Sequence, residues 1–167
     1  MKKFMLTAML VTFILGVTPN AYAASSEVTW KDYKSYRDIN SGTEGKKQFR
    51  ERTFKAFEKH FAKLAETLPE DHQLKIEVTD VDLAGDTNVA GISRVRIIKD
   101  LYIPRMEFSY QLLDSNSKVI LTDEVKLKDM SFMSKSQLKY RNKPLGYEKK
   151  MLDDWFEATF NALIITQ

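Results

Sequence analysis

The densest run of reactive side chains is Thr79-Asp80-Val81-Asp82-Leu83-Ala84-Gly85-Asp86, where three carboxylates lie close together. A hard cation such as calcium takes several oxygen ligands, and carboxylates this near in sequence are cheap ligands for one. The spacing does not follow the EF-hand loop, which also needs a glutamate at its twelfth position. Two carboxylates two residues apart can also act as acid and base on a glycosidic bond, but that chemistry needs a cleft for a sugar chain. No aromatic cluster flanks Asp80 and Asp82 to build one. If Leu74, Ile76 and Val78 mark the buried face of a strand that runs on undistorted, Asp80 and Asp82 fall on that face too. Buried carboxylates require partners. Arg94 and Arg96 are the nearest arginines ahead and suit bidentate pairing. The expectation is therefore protein-held aspartates, with a metal site on Asp80, Asp82 and Asp86 as the alternative.

The two histidines, His60 and His72, sit in a predicted helix and in the Pro69-Glu70-Asp71 turn, and surface positions are expected for both. There is no Gly-x-Ser-x-Gly elbow to place a nucleophile beside a base. A Walker phosphate loop, a dinucleotide-binding glycine pattern and a His-Glu-x-x-His zinc helix are likewise missing. No catalytic residue and no cofactor is assigned.

A different kind of signal lies between Met130 and Gly146. At about 17 residues this segment exceeds the usual loop, and long loops are often functional. It mixes Met130, Phe132, Met133, Leu138 and Tyr140 with Lys135, Lys139, Arg141 and Lys143. Phe132, Lys139, Tyr140 and Arg141 are the candidate docking residues for a partner or an anionic ligand. The alternative is that Phe132 and Tyr140 pin the loop to the sheet edge and the lysines are merely solvated.

The elements that must position these residues follow from periodicity. A short strand is expected around Val28-Thr29-Trp30. Phe49, Thr53, Ala56, Phe57, Phe61, Leu64, Ala65 and Leu68 then recur at helical spacing, predicting an amphipathic helix from about Gly45 to Thr67 that ends before Pro69. Alternation predicts strands over Leu74–Val78, Arg94–Ile98, Met106–Leu112 and Lys118–Leu127, with a hairpin turn at Asp114-Ser115-Asn116-Ser117. Tyr147, Met151, Leu152, Trp155, Phe156, Thr159, Phe160 and Leu163 define a second helical stripe. The fold class is α+β: an antiparallel sheet of four to five strands with two amphipathic helices packed on one face.

The N-terminus carries an address. Lys2 and Lys3 precede an apolar run from Phe4 to Val17, and Ala21 and Ala23 offer the small side chains a signal peptidase accepts. Residues 1–23 are expected to be a cleavable signal peptide and 24–167 a single globular domain. The apolar run is shorter than the roughly 20 residues that span a bilayer, so no membrane anchor is expected after processing. The 167 residues include no cysteine, which removes disulfides, thiol nucleophiles and lipid attachment at a cysteine. Processing would take Lys2 and Lys3 from the 26 basic residues and leave all 23 acidic ones, bringing the chain close to neutrality. Both signs are interspersed, which argues against nucleic acid as a partner.

Val78-Thr79-Asp80-Val81-Asp82-Leu83-Ala84-Gly85, Ile103-Pro104-Arg105, Leu127-Lys128-Asp129-Met130 and Tyr147-Glu148-Lys149-Lys150-Met151-Leu152-Asp153-Asp154-Trp155-Phe156, in this order, resemble a family of small exported bacterial proteins known as domain of unknown function 3016. The departure is Ile103, where the family pattern has an aromatic, usually tryptophan, directly before the proline. The resemblance implies a periplasmic or otherwise exported location and brings no activity or catalytic residue with it. Three functions are open: a non-enzymatic binding or interaction module of the cell envelope, taking an envelope protein or a small ligand; a metal-dependent factor or enzyme centred on Asp80, Asp82 and Asp86; and an inhibitor or accessory subunit of a secreted enzyme. The first is expected. A pocket joining those aspartates to Arg94, Arg96 or Arg105 would favour the second.

Overall fold

A computed structural model describes residues 23–87, 95–134, 140 and 143–164. The positions of the expected signal peptide up to Tyr22, including Ala21, lie outside the described residues, as do Arg94, Lys139 and Arg141. The elements are β1 (Ser25–Trp30), α1 (Lys46–Ala65), β2 (Gln73–Asp82), β3 (Arg105–Leu113), β4 (Val119–Lys128) and α2 (Gly146–Ile164), with a single 3-10 turn at Tyr33–Ser35. The strands form one sheet in the order β1-β2-β3-β4.

The fold is α+β, and the sheet is mostly antiparallel: β2 with β3 and β3 with β4 run in opposite directions. β1, however, lies parallel to β2, Val28 opposite Ile76. The reason is the connection. A tight hairpin returns the chain antiparallel, whereas a helix between two strands lets it cross over and enter in the same direction. The β3–β4 hairpin follows its turn chemistry: Asp114 Oδ1 accepts from the backbone N–H of Asn116 at 2.9 Å and of Lys118 at 3.0 Å.

Both helices lie on one face. Phe57 and Phe61 of α1, Leu152, Trp155, Phe156 and Phe160 of α2, and Leu74, Val78, Met106, Phe108 and Tyr110 of the sheet form one buried core. Trp155 reaches α1 through the sheet: its ring meets Phe108 edge-on at 4.8 Å, and Phe108 meets Phe61 at 6.1 Å. Trp30 stacks on Phe54 at 3.9 Å and donates from Nε1 to Glu58 at 2.8 Å, fastening β1 to α1. His60 is no surface residue. Its Nε2 lies 2.6 Å from Asp153 Oδ1 and 3.2 Å from the Lys149 carbonyl, tying α1 to α2. His72 stays at the turn, half-buried, its Nδ1 3.0 Å from the Glu70 carbonyl.

The expected strand Arg94–Ile98 does not form over its described part. Residues 95–98 make one isolated bridge, Ile97 to Asp86, with reciprocal N–H···O bonds of 3.0 and 2.9 Å. Arg96 has another task there. Its Nη1 donates to Asp38 at 2.9 Å and to the carbonyls of Leu83, Ala84 and Gly85, and its Nη2 to the Asn40 carbonyl. This clip requires the backbone to come very close. Gly85 has φ +84°, and a Cβ there would sit 2.6 Å from the Ile97 oxygen.

Candidate functional site

The aspartates of the 79–86 run are placed by an irregularity in β2. Val78 pairs with Phe108, yet Asp80 pairs with Glu107, so Thr79 is an extra residue in the strand. Such a bulge shifts side-chain alternation by one. Leu74, Ile76 and Val78 point into the core before it, and Val81 does so after it. Asp80 and Asp82 therefore lie on the open face, opposite to the face an undistorted strand would give them.

There they meet arginines other than Arg96. Arg37 holds Asp80 through its Nε at 3.1 Å and its backbone N–H at 2.9 Å, and also reaches Glu107 at 3.1 Å. Arg105 lies 3.5 Å from Asp82. Partial burial pushes the Asp82 carboxyl up, assisted by Asp38 and Asp80, against the opposing pull of Arg105 and Arg37. Burial wins because the long contact to a half-exposed arginine is weak. Asp82 and Asp86 share the rim of a polar pocket of about 290 Å³ with Arg37, Asp38, Tyr102 and Arg105. Asp80 is not among its lining residues. Among the described residues, no three His, Asp or Glu side chains come together as a metal-holding group.

A larger cleft, about 1040 Å³, opens on the helix side. Its apolar walls include Phe49 and Ala56 of α1, Leu83 after β2, Ile98, and Met133 and Leu145 from the long loop. The loop is fastened at two described points. Phe132, almost wholly buried, meets Tyr147 edge-on at 4.8 Å, so it is pinned to the start of α2 and not to the sheet edge. Tyr140 packs its backbone onto Gly146, where a Cβ would come within 2.6 Å of the Tyr140 oxygen. Of the four docking candidates, Tyr140 lines the cleft, and Phe132 lines a separate pocket beside Ile98 and Met133.

The charged groups of the cleft are unequal. Arg52 is held by Glu44 at 2.7 Å, Arg96 by Asp38, and Lys150 by Asp154. Lys149 donates to the Pro144 carbonyl at 3.0 Å, and burial lowers its proton affinity, with Glu148 opposing. Lys143 completes the basic set. Glu148 is 3% exposed in the first turn of α2, and its Oε1 accepts the Ala84 N–H at 2.8 Å. A helix N-terminus and that hydrogen bond both favour the anion. Burial outweighs them and raises its pKa.

Glu148 is the feature that side-chain chemistry read along the sequence missed. Its signal was present: it stands four residues before Leu152 and seven before Trp155, on the apolar stripe of α2. No described hydroxyl or thiol nucleophile is seen held against Glu148 or His60, and the arrangement is that of a lined, partly basic cavity.

No curated protein and no solved structure matches the chain. A family model does, over residues 24–158, with the description "Protein of unknown function (DUF3016)". That match spans the sheet, both walls of the cleft and Glu148, and the chain belongs to the DUF3016 family.

Proposed function

We propose that the chain is a non-enzymatic binding module of the bacterial envelope, whose cleft takes a small apolar ligand carrying one anionic group. The observation that carries this reading is the cleft itself. Its volume of about 1040 Å³ matches the upper range of ligand pockets, roughly 300–1,000 Å³. Its walls are mainly apolar, and the lysines least committed to carboxylates, Lys143 and Lys149, stand at the loop and first turn of α2. An apolar body would fill the walls while the anion meets those ammonium groups. The export signal read in residues 1–23 supports the location, and the cysteine-free composition fits a soluble product after cleavage.

The test uses the exported protein, whose intact mass is expected to begin at Ala24, titrated with anilinonaphthalene sulfonate, an apolar fluorescent anion. Saturable one-to-one binding is expected. Ala56→Trp, which fills the cleft from the half-buried face of α1, should abolish it while melting stays cooperative. Lys149→Glu should weaken it. Binding that neither saturates nor responds to Ala56→Trp would defeat the reading. The metal-dependent or enzymatic alternative draws support from the polar pocket that joins Asp82 and Asp86 to Arg105. An inhibitor or accessory role differs from the first reading only in the identity of the partner.

A further inference from the structure

Among the described residues β4 is an outer strand of the sheet, and the edge it leaves unpaired there is long and partly apolar. Val119, Ile120 and Leu121 are 43%, 44% and 37% exposed, although they are consecutive strand residues. Just past the end of β4, Met130 is 73% exposed. An unpaired edge of this kind templates the addition of another strand, and chains that stay single usually blunt it with proline, a bulge or inward charges. β4 carries no proline; it has a bulge, at Ile120, and one charge on the covered face, Asp123 opposite Tyr110, but both precede the stretch where Glu124 and Lys126 project from the open face, flanking Val125.

We propose that this edge pairs with the β4 of a second copy, antiparallel about a two-fold axis at Val125, making one continuous sheet from the two four-stranded ones. The register follows from charge. With Val125 opposite Val125, Glu124 of each copy stands directly across from Lys126 of the other, so two opposite-charge pairs form by symmetry. The same register carries the exposed Val119–Leu121 end of each strand toward Met130 of the other copy. Slipping by two residues in either direction keeps the helices on one face but sets Glu124 against Glu124 or Lys126 against Lys126. A one-residue slip puts the helices of the two copies on opposite faces of the sheet. The Val125 register is thus the one of the three that makes opposite-charge pairs without a like-charge contact; the slip that meets at Lys126 also sets Glu124 across from Lys128 but keeps the Lys126 pair at its centre. An unrelated strand would have no reason to match this arrangement, which is why a second copy is the occupant. The cleft lies elsewhere on the molecule, so this pairing stands or falls independently of ligand binding.

The experiment measures mass by sedimentation equilibrium of the mature protein from micromolar to millimolar concentration. A concentration-dependent doubling of mass is expected. Glu124→Lys and Lys126→Glu should each weaken the dimer by about tenfold or more, because each turns both attractive pairs into like-charge pairs. The double reversal should restore it, and an equimolar mixture of the two single variants should form a mixed dimer. Lys126 also reaches Glu107 of its own chain at 3.5 Å, so melting curves accompany each variant. If Lys126→Glu fails to fold, Glu124→Lys with Val125→Pro as a second edge block decides the matter. A parent that stays monomeric throughout, or a dimer indifferent to the single reversals, overturns the proposal.

Discussion

The two faces of the sheet show opposite ways of using the same strands. On the covered face, Val78, Phe108, Tyr110 and Trp155 are buried, and the Trp155 ring meets Phe108 at 4.8 Å and Tyr110 at 5.4 Å. On the open face the same strands present rows of alternating charge: Glu27 with Lys75, Lys31 with Glu77, Arg37 with Asp80 and Glu107, and Arg105 with Asp82. The covered face is where stability resides, since burial of large apolar groups is worth several times a solvated ion pair. The open face keeps the sheet in water and neutral. Function is expected at the boundaries of the covered face, where the cleft opens, more than on the ladder of charges.

The largest effect should come from the covered face. Trp155→Ala removes the ring that joins Phe108, Tyr110, Phe156 and Phe160. Truncations of this kind cost about 3–5 kcal/mol, against a total stability of roughly 5–15 kcal/mol for a domain. Urea titration should give a marginal fold. A midpoint close to that of the parent would move Trp155 out of the core and break the contrast between the faces.

An intermediate effect should come from Glu148, the carboxylate on the wrong side of that contrast. Its folded pKa is raised, chiefly by burial, above the ordinary value of 4.5. The native state therefore binds the proton more tightly than the unfolded chain. The stability linked to it is fully present below about pH 4.5 and is lost as pH rises through the raised folded value. Each tenfold gain in proton affinity is worth about 1.4 kcal/mol. Glu148→Gln removes the titration, so its thermal stability should fall less than that of the parent between acid and neutral pH. Parallel pH profiles would show that Glu148 is solvated.

Much of this contrast was written in the sequence, and its exceptions have local causes. Both helices were legible because Phe57, Phe61, Trp155 and Phe160 repeat at helical spacing over many turns, long enough for the period to be unmistakable. The family resemblance rested on motifs between Val78 and Phe156, and the family match, which also takes in β1 and α1, bears it out. The parallel placement of β1 could have been inferred from the helix that follows it, but adjacency of strands suggested hairpins. Arg94–Ile98 alternates like a strand, and nothing local reveals that Arg96 will spend its guanidinium on the carbonyls of 83–85. The loop was recognisable by length and composition, although Phe132 chose Tyr147 as its partner by tertiary packing. The bulge at Thr79 was the costliest omission, because a single extra residue reverses every orientation beyond it.

That reversal sets the smallest expected effect. On an undistorted β2, Asp82 would be a buried anion, and removing one partner of a buried pair costs about 3–5 kcal/mol. On the bulged strand its side chain is 22% exposed, its partner Arg105 is 42% exposed, and the contact is 3.5 Å. Pairs of this kind contribute about 0–1 kcal/mol. Burial already pushes its pKa up, so neutralising it also relieves a desolvation cost. The two contributions oppose each other. Asp82→Asn should therefore shift stability by less than about 1 kcal/mol, and excess chelator or added calcium should leave the melting temperature of the parent unmoved. A large loss in Asp82→Asn would return Asp82 to the core. A drop with chelator that calcium restores would instead make the 290 Å³ pocket a metal site, and would place the metal-dependent reading ahead of the binding module.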